Sequence, residues 1–411
     1  MKWLAECSAT TLREALRAVA TELSGCPVTV PVPDPAAKGD PLWWSSSAVV
    51  GERFIAKFAW SRPAALRLAR EIGVLTALAR EPRVPFLPEV VASSTDPLLL
   101  VTRRVPGASL FEVIGSIDRD RAGRQLAWFL AALHHPAVRE RAEAAVGELT
   151  GAQLPPATTT TLRDRFGTWV RPDQRRTIMR WCDWADAALA SPGPAVLVHG
   201  DLHGDNQVWD HAELRLVVDF ETAGAAEPEY DLRASPGPGM GPGVELLTAV
   251  VRHYQQITGR QLSAGRVMAW HLRNALGDAL WRSEAGIPLP DHRTPPEWAE
   301  DLAARFSALG IDPEATSADI QDTVRRADQN LLRLLGPKHA DPPGATAPSH
   351  QASRDQKPRR PLCPDISRRP HYDRRSAIGG PWASHRRILA CPRPVWTSAF
   401  ATAAQSTRSP S

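Results

Sequence analysis

The chain has 411 residues, 43% of them hydrophobic, and a formal net charge of +4, enough apolar material for one large domain or two modest ones with a core. Residues 341–411 hold 12 Lys/Arg against 4 Asp, leaving 37 basic against 41 acidic residues elsewhere; the part expected to fold is mildly acidic, which argues against a nucleic-acid-binding core. Five scattered cysteines without CxxC spacing argue against a disulfide framework or zinc knuckle and fit a reducing, cytoplasmic setting, and no apolar run approaches the ~18 residues of a membrane span.

In chain order, Thr11 and Glu14 have capping-box spacing, and Leu12, Ala15, Leu16, Val19 and Leu23 follow at helical intervals, so a helix is predicted up to Gly25. The Pro-rich stretch "PVTVPVPDPAAKGDP" fits an edge strand and a loop. "LWWSSSAVV", a Gly51-Glu52 turn and "RFIAKFAW" predict a β-hairpin, and "RPAALRLAREIGVLTALARE" an amphipathic helix. "FLPEVVASSTDPLLLVTRRVPG" offers two further strands ending at a Pro-Gly break. After Gly107 the pattern turns helical: "RDRAGRQLAWFLAALHH", most of 161–190, then about 243–257, 263–284, 295–309 and 317–335, interrupted by the short β runs "AVLV" and "LRLVVDF". The expected fold is α+β, a small antiparallel-sheet lobe with a helix followed by a mainly helical lobe. The expected divisions are 1–103, 104–337 and a disordered basic tail over 338–411, rich in Pro, Arg and Ser and without Glu.

Chemistry concentrates in "VLVHGDLHGDNQVWD", residues 196–210. Its apolar start delivers His199, Gly200 and Asp201 to a strand end; Asn206 follows after four intervening residues, and Asp219 closes the next apolar run. An Asp-x4-Asn loop followed by an Asp on a neighbouring strand suits phosphoryl transfer. The first Asp orients or accepts the proton of the attacking hydroxyl; the Asn oxygen and the second Asp suit Mg²⁺, which prefers oxygen ligands. A lysine to neutralise nucleotide phosphates is expected in the small lobe, and Lys57 lies in the apolar strand "FIAKFAW". Glu71 shares a helix face with Leu68, Val74, Leu75 and Leu78, and a carboxylate among core positions wants a partner such as Lys57. Taken singly, Lys57 also reads as a snorkelling strand lysine and Glu71 as a rim residue paired with Arg67 or Arg70.

The order Lys57, Glu71, Asp201, Asn206, Asp219 resembles the aminoglycoside phosphotransferase/choline kinase family of protein-kinase-like small-molecule kinases. "HGDLHGDN" resembles its HGDxHxxN loop and "DFETAGAAEPEYDLR" its D-F-E-x-A-x-x-G-D-P-x-x-D-L-A segment. The resemblance runs from about residue 40 to 335. It implies a two-lobed kinase-like fold with ATP and Mg²⁺ in the cleft and a small-molecule hydroxyl as acceptor. It further implies that "LLLVTRRVPG" is the hinge, with backbone groups of Arg103 and Val105 facing adenine. The nucleotide-positioning loop departs from a glycine-rich one: Ser45, Ser46 and Ser47 stand there, with Ser46 the expected phosphate contact. Glu227 replaces the family's Asp and Arg233 its Ala. Asp231 matches a family position and is expected to be a structural hydrogen-bond acceptor, while His199 and His203 are expected to shape the loop.

Two rival readings come from other classes. "GDLHGD" also fits the GD-x-HG run of binuclear metallophosphoesterases, but these need a later GDxxDR and a GNH box, and the chain has neither. A catalytically silent kinase-like nucleotide-binding protein would keep the same residues. For the acceptor, Asp278, Glu284, Glu297, Glu300 and Asp301 offer an acidic wall suited to a cationic aminoglycoside, and Trp270, Trp281 and Trp298 an apolar pocket. Both sets equally suit solvated helix faces and core. Neither nucleic acid nor membrane is expected as a partner, and the sequence does not speak to oligomeric state.

Overall fold

Alternation along one strand decides how the small lobe is built. A computed structural model describes residues 8–30, 45–59, 62–147, 171–235, 243–285, 288–289, 294–308, 325–326, 328–329 and 333. In it β1 (Val28–Thr29), β2 (Ser45–Val50), β3 (Phe54–Ala59), β4 (Val90–Thr95) and β5 (Leu98–Arg103) form one antiparallel sheet of order β1-β2-β3-β5-β4. Successive side chains of a strand face opposite sides. Ala56 and Phe58 of β3 join Leu12, Ala15 and Leu16 of α1 (Ala9–Val19), whereas Ala59 packs with Ala64, Ala65 and Leu68 of α2 (Arg62–Leu78). The sheet therefore carries α2 on one face and α1 on the other. Lys57 falls on the α2 face by the same alternation.

Helix α1 begins two residues before the predicted capping threonine. Ser8 is its N-cap, its hydroxyl accepting from the Thr11 amide at 3.1 Å, and the helix stops at Val19 rather than near Gly25. A short 3-10 turn, Thr21–Leu23, carries the chain on from there. The hairpin turn is where expected, with Gly51 at φ +54°, a left-handed conformation that glycine adopts without strain.

The larger lobe holds β6 (Ala108–Ser109), α3 (Leu110–Val113), α4 (Arg119–Leu133), α5 (Pro136–Val146) and α6 (Pro172–Ala188). There follow β7 (Val196–Val198), β8 (Gln207–Asp210), β9 (Glu213–Val217) and β10 (Gly224–Ala226), then α7 (Gly243–Thr258), α8 (Ala264–Ala285) and α9 (Pro295–Ala308). Two small antiparallel sheets sit among the helices, β10-β7 and β6-β8-β9. Strands β7 and β9 are the two predicted β runs; β6, β8 and β10 are too short and polar to show as periodic runs. Helix α4 crosses α7 closely at Gly123, where an added Cβ would lie 2.5 Å from the Ala249 Cβ. One apolar cluster runs from Leu68 and Leu75 of α2 through Leu110, Phe129 and Phe220 to Leu272 and Phe306, so both lobes share a core. The expected tail over 338–411 and nearly all of the expected helix over 317–335 lie outside the described residues.

Candidate active site

The site forms where α2, β3 and the ends of β7 and β9 meet. Lys57 Nζ donates to Glu71 Oε1 at 2.7 Å and Oε2 at 2.9 Å, and to Asp219 Oδ1 at 3.1 Å. The side chains of Glu71 and Asp219 are only 2% and 1% exposed and that of Lys57 12%, so the lysine bridges two buried carboxylates. Burial of that kind is tolerated only with charge pairing and further hydrogen bonds. Glu71 supplies one more, accepting from the Phe220 amide at 3.3 Å. Asp219 sits in the left-handed region at φ 75°, where it opens the short 3-10 turn Phe220–Thr222.

Beyond β7 the loop folds back on itself. Gly200 has φ +84°, and a Cβ there would come 2.4 Å from the Thr222 carbonyl oxygen, so this position needs glycine. Asn206 Nδ2 donates to the Asp201 carbonyl at 2.8 Å, and the Val218 amide donates to the Asn206 carbonyl at 2.9 Å. Asn206 and Asp219 are thereby tied into one unit. With Nδ2 committed, the remaining polar atom of the Asn206 side chain is its oxygen, a suitable ligand for a hard cation. Glu71, Asp219 and Glu221 also bring carboxylate oxygens within 4.8 Å of one another, all buried; Arg67 faces Glu221 at 3.4 Å. This all-oxygen donor set fits a divalent cation such as Mg²⁺.

Asp201 is the most open of the group, its side chain one-third exposed. His203 Nε2 lies 3.5 Å from its Oδ2 and Arg233 Nη2 3.9 Å from its Oδ1. Burial alone would raise the Asp201 carboxyl, but the charge and hydrogen bonding of His203, with Arg233 beside it, hold it below the usual carboxylate value. Burial conversely disfavours protonated His203, and Asp201 overrides this and raises its pKa. His203 stacks on Phe111 with ring planes 8° apart, and Asp205 donates its amide to His203 Nδ1.

His199 is fully buried, and burial lowers its pKa, so it is neutral. Its Nε2–H donates to the Val218 carbonyl at 2.9 Å and Nδ1 accepts from the Asp201 amide at 3.2 Å. Both ring nitrogens are committed, which shapes the loop and leaves His199 no ring nitrogen for a metal ion. Asp231 accepts from the amides of His199 and Gly200, each at 2.9 Å, and lies 3.1 Å from His134 Nε2. Although burial would raise its carboxyl, the hydrogen bond with His134, backed by the Gly200 amide, holds it low. His134, which in turn meets the Tyr254 hydroxyl at 3.2 Å, shows no motif in the sequence beyond its place at the end of a predicted helix.

The nucleotide-side residues are placed less directly. Ser46 pairs with Phe58 in the β2–β3 ladder; its side chain is outside the description. Arg103 ends β5, its amide donating to the Glu89 carbonyl at 2.9 Å and its guanidinium to the Glu89 carboxylate. Val105 follows two residues later outside regular structure. Of the acidic wall, Asp278 pairs with Arg282, Asp301 with Arg305 and Glu300 with Arg171, while Glu297 caps α9 through Thr294. Trp270 and Trp298 are buried, the former donating to Glu227; the side chains of Glu284 and Trp281 are outside the description.

Comparison with known proteins bears on the family and the fold. The profile of the "Phosphotransferase enzyme family" matches residues 40–264. A viomycin phosphotransferase of Streptomyces vinaceus is 32% identical over 216 residues, covering 49% of this chain and 72% of the relative. Among solved structures, the GDP complex of an aminoglycoside 2′-phosphotransferase-IIIa superposes with a TM-score of 0.51 at 16% identity, covering 80% of this chain and 100% of the other. A choline/ethanolamine kinase family protein from Mesorhizobium loti gives 0.51 at 17%, covering 78% and 99%. The fold is thus kinase-like, and the chain belongs to the phosphotransferase enzyme family.

Proposed function

We propose that this protein transfers the γ-phosphate of ATP to a hydroxyl of a small molecule, in the class of aminoglycosides and related antibiotics. The observation that carries this reading is the Lys57 ammonium held between Glu71 and Asp219 across the lobe interface, next to the Asp201–Asn206 loop. A cation fixed on the small lobe beside oxygen ligands from the large lobe is what positioning a polyphosphate requires. Asp201 orients the acceptor hydroxyl and takes up its proton, its carboxylate kept ionised and partly open to the cleft. Lys57, held in place by Glu71, neutralises the α/β-phosphates. Asn206 and Asp219 are the residues that would hold Mg²⁺, whose charge offsets that of the phosphates. Ser46 and the backbone of Arg103 and Val105 are assigned to the nucleotide. The viomycin phosphotransferase relative supports an antibiotic acceptor.

The test is a panel of hydroxyl acceptors, including viomycin, aminoglycosides, a macrolide and choline, assayed for ATP consumption and for mass gain of the acceptor. Stimulation by one of them, lost in Asp201→Ala with ATP affinity retained, is the expected result. ATP-dependent thermal stabilisation without transfer to any acceptor would favour a silent nucleotide-binding protein instead.

A further inference from the structure

Arg233 closes the segment "DFETAGAAEPEYDLR" at a position where the family pattern carries alanine. Its side chain is 8% exposed and turns back under the Asp201 loop. Each part of the guanidinium is held: Nη2 donates to the Gly200 carbonyl at 2.5 Å, Nη1 to the Tyr230 carbonyl at 3.0 Å and Nε to Asn274 Oδ1 at 3.1 Å. The guanidinium carbon lies 4.0 Å from the centroid of the Tyr230 ring, a cation–π contact. The Arg233 carbonyl is itself fixed by His271 Nδ1 at 2.7 Å, and His271 Nε2 faces Arg305 Nη1 at 2.9 Å.

Gly200 immediately precedes Asp201, and glycine has the widest backbone freedom of any residue. Here that freedom is removed from both sides. Asp231 holds the Gly200 N–H at 2.9 Å and Arg233 holds the Gly200 C=O at 2.5 Å. The peptide plane joining Gly200 to Asp201 is held at its C=O by Arg233 and at its N–H by His199 Nδ1 at 3.2 Å, and with it the direction in which the Asp201 carboxylate leaves the loop; Arg233 supplies the shorter of the two bonds. A lysine offers one point charge and cannot reproduce the three-way fork.

We propose that Arg233 is a positioning residue for phosphate transfer in this chain, acting through the Gly200 carbonyl to aim Asp201 at the acceptor hydroxyl. The inference rests on the reading of Asp201 as the residue that orients that hydroxyl. Misplacing a reacting group by about 1 Å costs on the order of 100-fold in rate, which sets the expected scale.

The test uses the full chain with its best acceptor, and water as acceptor in parallel, comparing wild type, Arg233→Ala and Arg233→Lys. Arg233→Ala is expected to lower kcat about 10- to 100-fold with KM for ATP nearly unchanged. Added methylguanidinium should restore kcat, methylammonium should not, and Arg233→Lys should remain low. A folded Arg233→Ala protein with wild-type kcat overturns the inference, as does a loss confined to KM for ATP or equal rescue by methylammonium. Should Arg233→Ala fail to fold, Arg233→Lys carries the test alone, and a folded lysine variant with wild-type kcat overturns the inference equally. Wild-type protein that consumes no ATP with any acceptor refutes the phosphotransfer reading and this inference with it; an active wild type with an indifferent Arg233 refutes this inference alone.

Discussion

Replacing Glu71 by glutamine isolates the charge of the buried carboxylate while keeping its shape. Glu71 accepts two bonds from Lys57, at 2.7 and 2.9 Å, and one from the Phe220 amide at 3.3 Å. Glutamine retains one oxygen, and its amide nitrogen becomes a donor facing an ammonium. One charge-assisted bond is lost, worth about 1.5–3 kcal/mol. Breaking a buried pair outright costs ~3–5 kcal/mol, but Lys57 keeps Asp219 at 3.1 Å, so the smaller figure applies. At ~1.4 kcal/mol per tenfold, Glu71→Gln should lower kcat/KM for ATP about 10- to 100-fold. The Mg²⁺ requirement should also rise, because Lys57 then leans on Asp219 alone. Steady-state ATP titrations at fixed acceptor, repeated across Mg²⁺ concentrations and paired with urea denaturation, measure both effects. A folded Glu71→Gln protein with wild-type kcat/KM and an unchanged Mg²⁺ requirement would refute the idea that this carboxylate positions Lys57.

Asp219→Ala should weaken Mg-ATP binding itself, read by nucleotide titration with and without Mg²⁺; binding unchanged in both series would remove Asp219 from the metal site. Gly200→Ala places a Cβ 2.4 Å from the Thr222 carbonyl at a positive φ; it should cost about 1–3 kcal/mol of stability and most of the transfer activity, and a fully active, stable variant would contradict the loop geometry. His271 is buried, and desolvation, aided by Arg305, lowers its pKa to about 3. Its unfolded value of about 6.5 lies above that, so as pH falls below about 6.5 only the unfolded chain takes up the proton and stability declines towards pH 3. Between pH 7 and pH 5 this amounts to about 2 kcal/mol. Urea midpoints of wild type and His271→Gln, whose amide can still donate to Arg233 and accept from Arg305, should diverge across that interval; parallel curves would refute it.

Much of the site was legible because its parts are local. The Asp201-x4-Asn206 spacing, the apolar run ahead of it and Asp219 after the next run are features of adjacent residues. Lys57 and Glu71 stood out as charges inside otherwise apolar periodic patterns. The acceptor side was less legible: Asp278, Glu297, Glu300 and Asp301 look alike in sequence whether they face a cationic ligand or neighbouring arginines, and in the fold each has a local partner. The start of α1 slipped for a similar reason, since Ser8 and Thr11 are both competent caps and the fold uses Ser8.

By itself, the sequence determined the longer helices, the main strands of the small lobe and the identity of the loop, because hydrophobic period, turn residues and short polar spacings act over a few bonds. Tertiary structure alone decided that Lys57 reaches Asp219 across 162 positions of chain, that Asp219 takes a left-handed backbone, and that Asp231 and Arg233 grip Gly200 from opposite sides. Such contacts depend on how the shared core closes between the lobes. Each of these buried polar groups must find a partner once water is excluded, and which partner lies within reach is settled only by that closure.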